Sequence, residues 1–148
     1  MTKTRRHRMK ADNKDKELAG NEKIEEYIAI LQKEPSEEML AVVLSTIRRR
    51  MREGGEFVVA VDPSIGGQFQ IQAMELENGE KWMVAFTSFE EQMKGNTQVM
   101  STFMAKIDQL FDMALAEKSV KGLLLNPWNR TIMLDKELLG LIKGEICK

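Results

Sequence analysis

Apolar residues first fall into register at Ile24, Tyr27, Ile28 and Leu31, a single stripe at helical spacing opposite Glu25, Glu26 and Lys33. The spacing predicts a helix from Asn21 that stops at Pro35. Ser36 is a good N-cap for a second helix, with Glu37 and Glu38 in the first turn where the helix dipole favours negative charge. Leu40, Val43, Leu44, Ile47 and Met51 form its apolar face, and Gly54-Gly55 ends it. The pair reads as an antiparallel helical hairpin. The period then changes. Phe57 to Val61 is an uninterrupted, mostly β-branched run, the pattern of a strand covered on both faces. Gln68 to Leu76 alternates, with Phe69, Ile71 and Ala73 on one side and a parity shift at Met74 and Leu76 that calls for a bulge or two-sided covering. Lys81 to Phe86 answers with Trp82, Val84 and Phe86. Asn78-Gly79 between them predicts a hairpin with a type I′ turn.

Ser88 and Glu91 have the S-x-x-E spacing of a capping box opening a short helix, which Gly95-Asn96 closes. After a short extended stretch near Val99 to Thr102, Phe103, Ile107, Leu110, Phe111 and Ala114 predict the most regular helix, ending about Glu117. Val120 to Leu125 and Thr131 to Leu134 read as strands, and Asp135 as the cap of a last helix carrying Leu138, Leu139 and Ile142. The sum is an α+β domain: an N-terminal helical hairpin, then a mixed, largely antiparallel sheet of about five strands with helices packed against it.

Length adds that 148 residues suit one domain, here residues 21–148, without disulfide staples. Residues 1–20 differ, with seven Lys or Arg against three Asp or Glu and almost nothing to bury; they read as a disordered basic arm. Its Thr-Arg-Arg-His-Arg start lacks the apolar stretch of a signal peptide, and no segment approaches a membrane span.

One histidine, His7, and one cysteine, Cys147, narrow the chemistry. Neither a Cys/His zinc site nor Ser-His or Cys-His nucleophilic catalysis fits that supply, so no catalytic residue, metal or cofactor is assigned. A lone cysteine fits a reducing compartment. The glycines of Asp62-Pro63-Ser64-Ile65-Gly66-Gly67 lack the Gly-Lys-Ser/Thr ending of a phosphate loop. Arg48, Arg49, Arg50 and Arg52 serve either the helix terminus and solubility or an anion site at Arg48, Arg49 and Arg52. The eleven methionines read as core gap-fillers.

Gly122-Leu123-Leu124-Leu125-Asn126-Pro127-Trp128 is the most distinctive motif. Asn126 can bond its own downstream backbone in an Asx-turn, and Pro127 fixes φ. Trp128 either folds back as a lid on the core or stands out as an anchor for a partner.

Trp82, Val84 to Ser88, Glu90 and Glu91, then an amphipathic helix, then this motif with Met133-Leu134 and Glu137-Leu138-Leu139, resemble the SseB N-terminal domain family of bacteria over about Lys23 to Lys148. Where relatives place glycine after the Asn-Pro-aromatic step, Asn129 stands, another residue tolerant of the left-handed region. The resemblance implies a cytoplasmic bacterial domain with no established reaction. Larger members carry a further C-terminal domain with no counterpart in these residues, and nothing that resides there transfers.

Three functions follow as expectations. The first is a non-catalytic interaction or regulatory module that uses Asn126, Pro127, Trp128, Thr87, Ser88 and Glu91 against a protein partner or a second copy of the chain. The second is a ligand-binding protein or enzyme using carboxylates and lysines such as Asp62, Glu90 and Glu91. The third, a nucleic-acid contact through Arg5 to Lys10 and Arg48 to Arg52, lacks interleaved aromatics.

Overall fold

The computed structural model describes residues 18–62, 70–94 and 101–144. The arm as far as 17, the glycine loop at 63–69, the expected helix stop at Gly95-Asn96 and Cys147 lie outside the described residues. The expected α+β architecture is present. Helices α1 (Asn21–Lys33) and α2 (Glu37–Arg52) precede strands β1 (Glu56–Asp62), β2 (Gln70–Ile71), β3 (Ala73–Glu75) and β4 (Lys81–Ala85). Then come α3 (Phe89–Met93), β5 (Ser101–Lys106), α4 (Ile107–Ala116), β6 (Gly122–Leu125), β7 (Ile132–Asp135) and α5 (Lys136–Lys143).

Among the described residues seven strands form two sheets, ordered β2-β1-β5 and β3-β4-β6-β7; β4 and β6 are parallel and the other pairs are antiparallel. Two links join the sheets. Val58 and Phe86 exchange backbone hydrogen bonds of 2.8 Å in each direction, and Gln72 donates to Ala60 O at 2.8 Å while accepting from Val84 N at 3.0 Å. The single strand expected from Gln68 to Leu76 is therefore two short ones that change sheets at Gln72. That switch is the physical content of the parity shift: Ile71 packs on the main core, Met74 on the opposite face, and Ala73 is exposed.

Parity along the strands sorts the core. Phe57, Val59 and Val61 of β1, Met83 and Ala85 of β4, Leu123 and Leu125 of β6 and Ile132 and Leu134 of β7 meet Ile24, Ile28, Val43, Ile47, Ile107, Leu110, Phe111, Leu139 and Ile142 from the helices. The Phe57 and Phe111 rings lie 6.4 Å apart at 56°. Each such fully buried side chain contributes roughly 1.5–3 kcal/mol. Val58, Val84 and Phe86 point the other way and pack with Leu18, Met74, Phe89 and Met104. Trp82, Val84 and Phe86 are thus buried like Met83 and Ala85 beside them, so β4 is covered on both faces and not on one alternating face. Leu18, at the edge of the expected arm, is already part of this packing.

Three other details depart from the sequence reading. The β3–β4 turn has positive φ at Gly79 alone, +88°; Gly79 N donates to Leu76 O and Leu76 N to Glu80 O, a three-residue loop with glycine in the left-handed position instead of type I′. The helix expected from Phe103 starts at Ile107, because residues 101–106 pair along β1, Glu56 opposite Lys106 to Val61 opposite Ser101. Phe103 shares the helical phase of Ile107 by coincidence and is exposed. Gly122 is required by close approach: a Cβ there would sit 2.1 Å from Leu134 O.

Candidate functional site

The turn after β6 brings most of the singled-out residues together. Asn126 is fully buried with φ 54°, and its backbone N–H donates to Ala85 O at 2.9 Å, continuing the parallel β4–β6 ladder. Its side chain does not form the expected Asx-turn. Oδ1 accepts from Thr87 N at 2.9 Å, and Nδ2 donates to Thr87 Oγ1 at 3.0 Å and to Arg130 O at 3.3 Å. Thr87 Oγ1 has one proton, which goes to Glu25 Oε2 at 2.5 Å. The amide and the hydroxyl are therefore fully used, as burial demands.

The network continues outward. Arg130 Nη1 lies 3.3 Å from Glu25 Oε1, and Thr131 Oγ1 donates to Asn126 O at 2.6 Å. Asn21, buried at the start of α1, donates to Glu56 O at 2.8 Å and Thr87 O at 3.0 Å and accepts from Arg50 Nε at 3.2 Å. Helix α1 is thus fastened to the β4–α3 junction, which is fastened to the turn. Arg130, and not Asn129, is the second left-handed residue, with φ 49°.

Ser88 caps α3 as expected, accepting from Glu91 N at 3.2 Å, but the reciprocal half of the capping box is missing. The Glu91 side chain is buried and turned to the Asn126–Arg130 turn, where Oε2 accepts from Asn129 Nδ2 at 3.3 Å and Lys94 Nζ at 3.0 Å; Oε1 has no hydrogen-bond partner. Glu90 lies elsewhere. It borders a cleft of about 370 Å³ with Glu22, Glu25, Thr87 and Ser88. Glu90 and Glu91 therefore do not converge, and the side chain of Asp62 lies outside the described residues. Among the described residues no group of three or more His, Cys, Asp or Glu side chains is placed to hold a metal ion.

Pro127 is half-buried. Trp128 is 42% exposed at the tip of the turn, so it is not a lid over the core. Met93, on the α3 turn that follows Glu91, is 65% exposed.

The arginines separate into two pairs. Arg48 reaches across to α5, donating to Leu141 O and, at 2.8 Å, to Ile142 O, so it satisfies the carbonyls of another helix's last turn and not its own. Arg50 serves Asn21 and Glu53. Arg49 and Arg52 are exposed. The anion site expected from Arg48, Arg49 and Arg52 together is thus not assembled, since Arg48 is committed to the α5 terminus.

The sequence reading missed Glu25, Asn21, Asn129 and Arg130. Asn21, Glu25 and Gln32 fall at i, i+4 and i+11 on one side of α1, and Gln32 Nε2 donates to Thr131 O at 3.4 Å. A polar stripe bordering the apolar one was the available signal.

The SseB protein N-terminal domain family matches residues 19–139, most of the chain. The chain belongs to the SseB family. No curated protein and no solved structure matches it. The match spans both halves of the network, from Asn21 to Arg130, so the Asn126–Thr87 fastening lies within the SseB domain. No helix among the described residues of this SseB domain is long and apolar enough to cross a membrane.

Proposed function

We propose that this SseB domain is a non-catalytic interaction module of the bacterial cytoplasm that presents the Asn126–Arg130 turn, with Trp128 as anchor, to a protein partner. One observation carries the reading: an exposed tryptophan stands on a turn whose backbone is held by buried hydrogen bonds from Asn126 to Thr87 and Ala85. Exposing a large aromatic costs the folded state burial it would gain by turning inward. Tryptophan on a rigid support is a residue that dominates binding energy at interfaces. The Asn129–Glu91–Lys94 contacts join the turn to α3 and place polar groups beside it. The single cysteine fits a reducing compartment.

The test is affinity capture from bacterial lysate with the parent chain, Trp128→Ala and the remote exposed variant Lys118→Ala, each checked by circular dichroism. A partner retained by the parent and Lys118→Ala but lost by folded Trp128→Ala is the expected outcome. Identical partners for all three would remove Trp128 from the interface.

A further inference from the structure

We propose that the outer groove of the helical hairpin is a second docking site, built for an acidic amphipathic helix of a partner protein. The groove runs between α1 and α2, encloses about 470 Å³ and has Tyr27, Ala41 and Val42 as its apolar floor. Val42 is 40% exposed. At 100° per residue, Lys23 and Tyr27 fall on the side of α1 opposite Asn21 and Glu25, so this face is separate from the Trp128 turn.

Charge selects the occupant. Lys23 stands on the α1 side and Arg49 on the α2 side, and neither side chain has a hydrogen-bond or ion-pair partner among the described residues. Arg49 also borders an adjoining hollow of about 310 Å³ shared with Ser45 and Arg52. The acid at this end, Glu53, is bonded to Arg50 at 3.0 Å. Capping and fold support are supplied by Arg48 and Arg50, which leaves Arg49 and Arg52 outside any structural role described above.

These cations flank an apolar floor without converging on one point, a layout that fits an extended amphipathic anion better than a single phosphate. From Ala41 to Glu53 the groove is about 18 Å long at 1.5 Å per residue, room for about three helical turns. A helix with leucines on one face and glutamates along its edges would lay the leucines on Tyr27 and Val42 and the carboxylates against Lys23, Arg49 and Arg52.

The experiment titrates the full, ¹⁵N-labelled chain with a synthetic acidic peptide, leucines at helical spacing and glutamates elsewhere. A peptide with lysine for every glutamate, and inorganic phosphate, are run beside it. Amide shifts confined to Lys23–Tyr27 and Ala41–Glu53 are expected, with affinity falling about tenfold or more in Arg49→Glu and in Val42→Glu and unchanged in Trp128→Ala. Arg49 is exposed, so Arg49→Glu should melt like the parent; Val42→Glu probes the floor independently. The proposal is overturned by equal binding of the lysine peptide, by shifts centred on residues 126–130, or by undiminished binding to both groove variants. Phosphate reproducing the same shifts would reduce the groove to a simple anion site and overturn it equally.

Discussion

Asn126 and Thr87, 39 residues apart, hold each other through both atoms of the Asn126 amide, with Oδ1 accepting the Thr87 N–H and Nδ2 donating to its hydroxyl. Two requirements meet at Asn126, the bonds and a left-handed φ of 54°. Asn126→Ala removes the partners of buried groups, at about 1–3 kcal/mol each, and adds left-handed strain of roughly 1 kcal/mol. Asn126→Gly removes the bonds only. Urea unfolding should therefore rank the parent above Asn126→Gly and that variant above Asn126→Ala; equal stability of the two variants would show that backbone strain contributes nothing.

Gly122 is constrained by space, since its Cβ would meet Leu134 O at 2.1 Å and Asp135 Cα at 2.7 Å on the paired strand. Gly79 is constrained only by its φ of +88°, with nothing within 4 Å of an added Cβ. Gly79→Ala should cost about 1–2 kcal/mol. Gly122→Ala must push β7 off β6 and should cost more, read as a larger drop in melting temperature and weaker amide protection at Leu123 and Leu134.

Arg48 and Arg52 are four residues apart and should behave differently. Arg48→Met leaves the Leu141 and Ile142 carbonyls of α5 without their charged donor, a loss of about 1.5–3 kcal/mol in chemical denaturation. Arg52→Ala should stay within about 0.5 kcal/mol of the parent.

Lys143 sits between Asp108 at 2.5 Å and Asp112 at 2.6 Å, tying α5 to α4. Burial pushes its pKa down, but the hydrogen bonds and charges of the two carboxylates outweigh burial and leave it raised above 10.5. A lysine whose folded pKa exceeds its unfolded value contributes stability that is complete below the unfolded pKa and is lost as pH rises through the folded one. Melting curves from pH 9 to pH 12 should show the difference between the parent and Lys143→Met shrinking above about pH 10.5. A constant difference across that range would contradict it.

Local chemistry was legible in the sequence, because a cap and its target lie three residues apart. Ser36, Ser88 and Asp135 each accept from the predicted backbone N–H, of Met39, Glu91 and Leu138. Long-range pairing was not. Phe103 extends the apolar phase of Ile107 backwards into a helix, and only β1 lying alongside makes residues 101–106 a strand; the helix then starts at Ile107, with Lys106 at its N-cap and no side-chain cap to announce it. At the site, Asn126, Thr87 and Trp128 were found by motif and resemblance. Glu25 was assigned to the solvent face because its partners, Thr87 and Arg130, come from distant parts of the chain. Glu91 was assigned to a cap that uses only its backbone.

The fastening of the Asn126–Arg130 turn also sets a timescale. A loop that must order itself at docking loses conformational entropy on each encounter, typically seen as lowered affinity and slow second phases. Here that entropy is lost once, during folding, with Asn126 and Arg130 already left-handed and Thr131 already bonded to Asn126 O. A partner would meet a surface already set, so association should be single-exponential and set by collision, and differences among partners should reside in how long they stay.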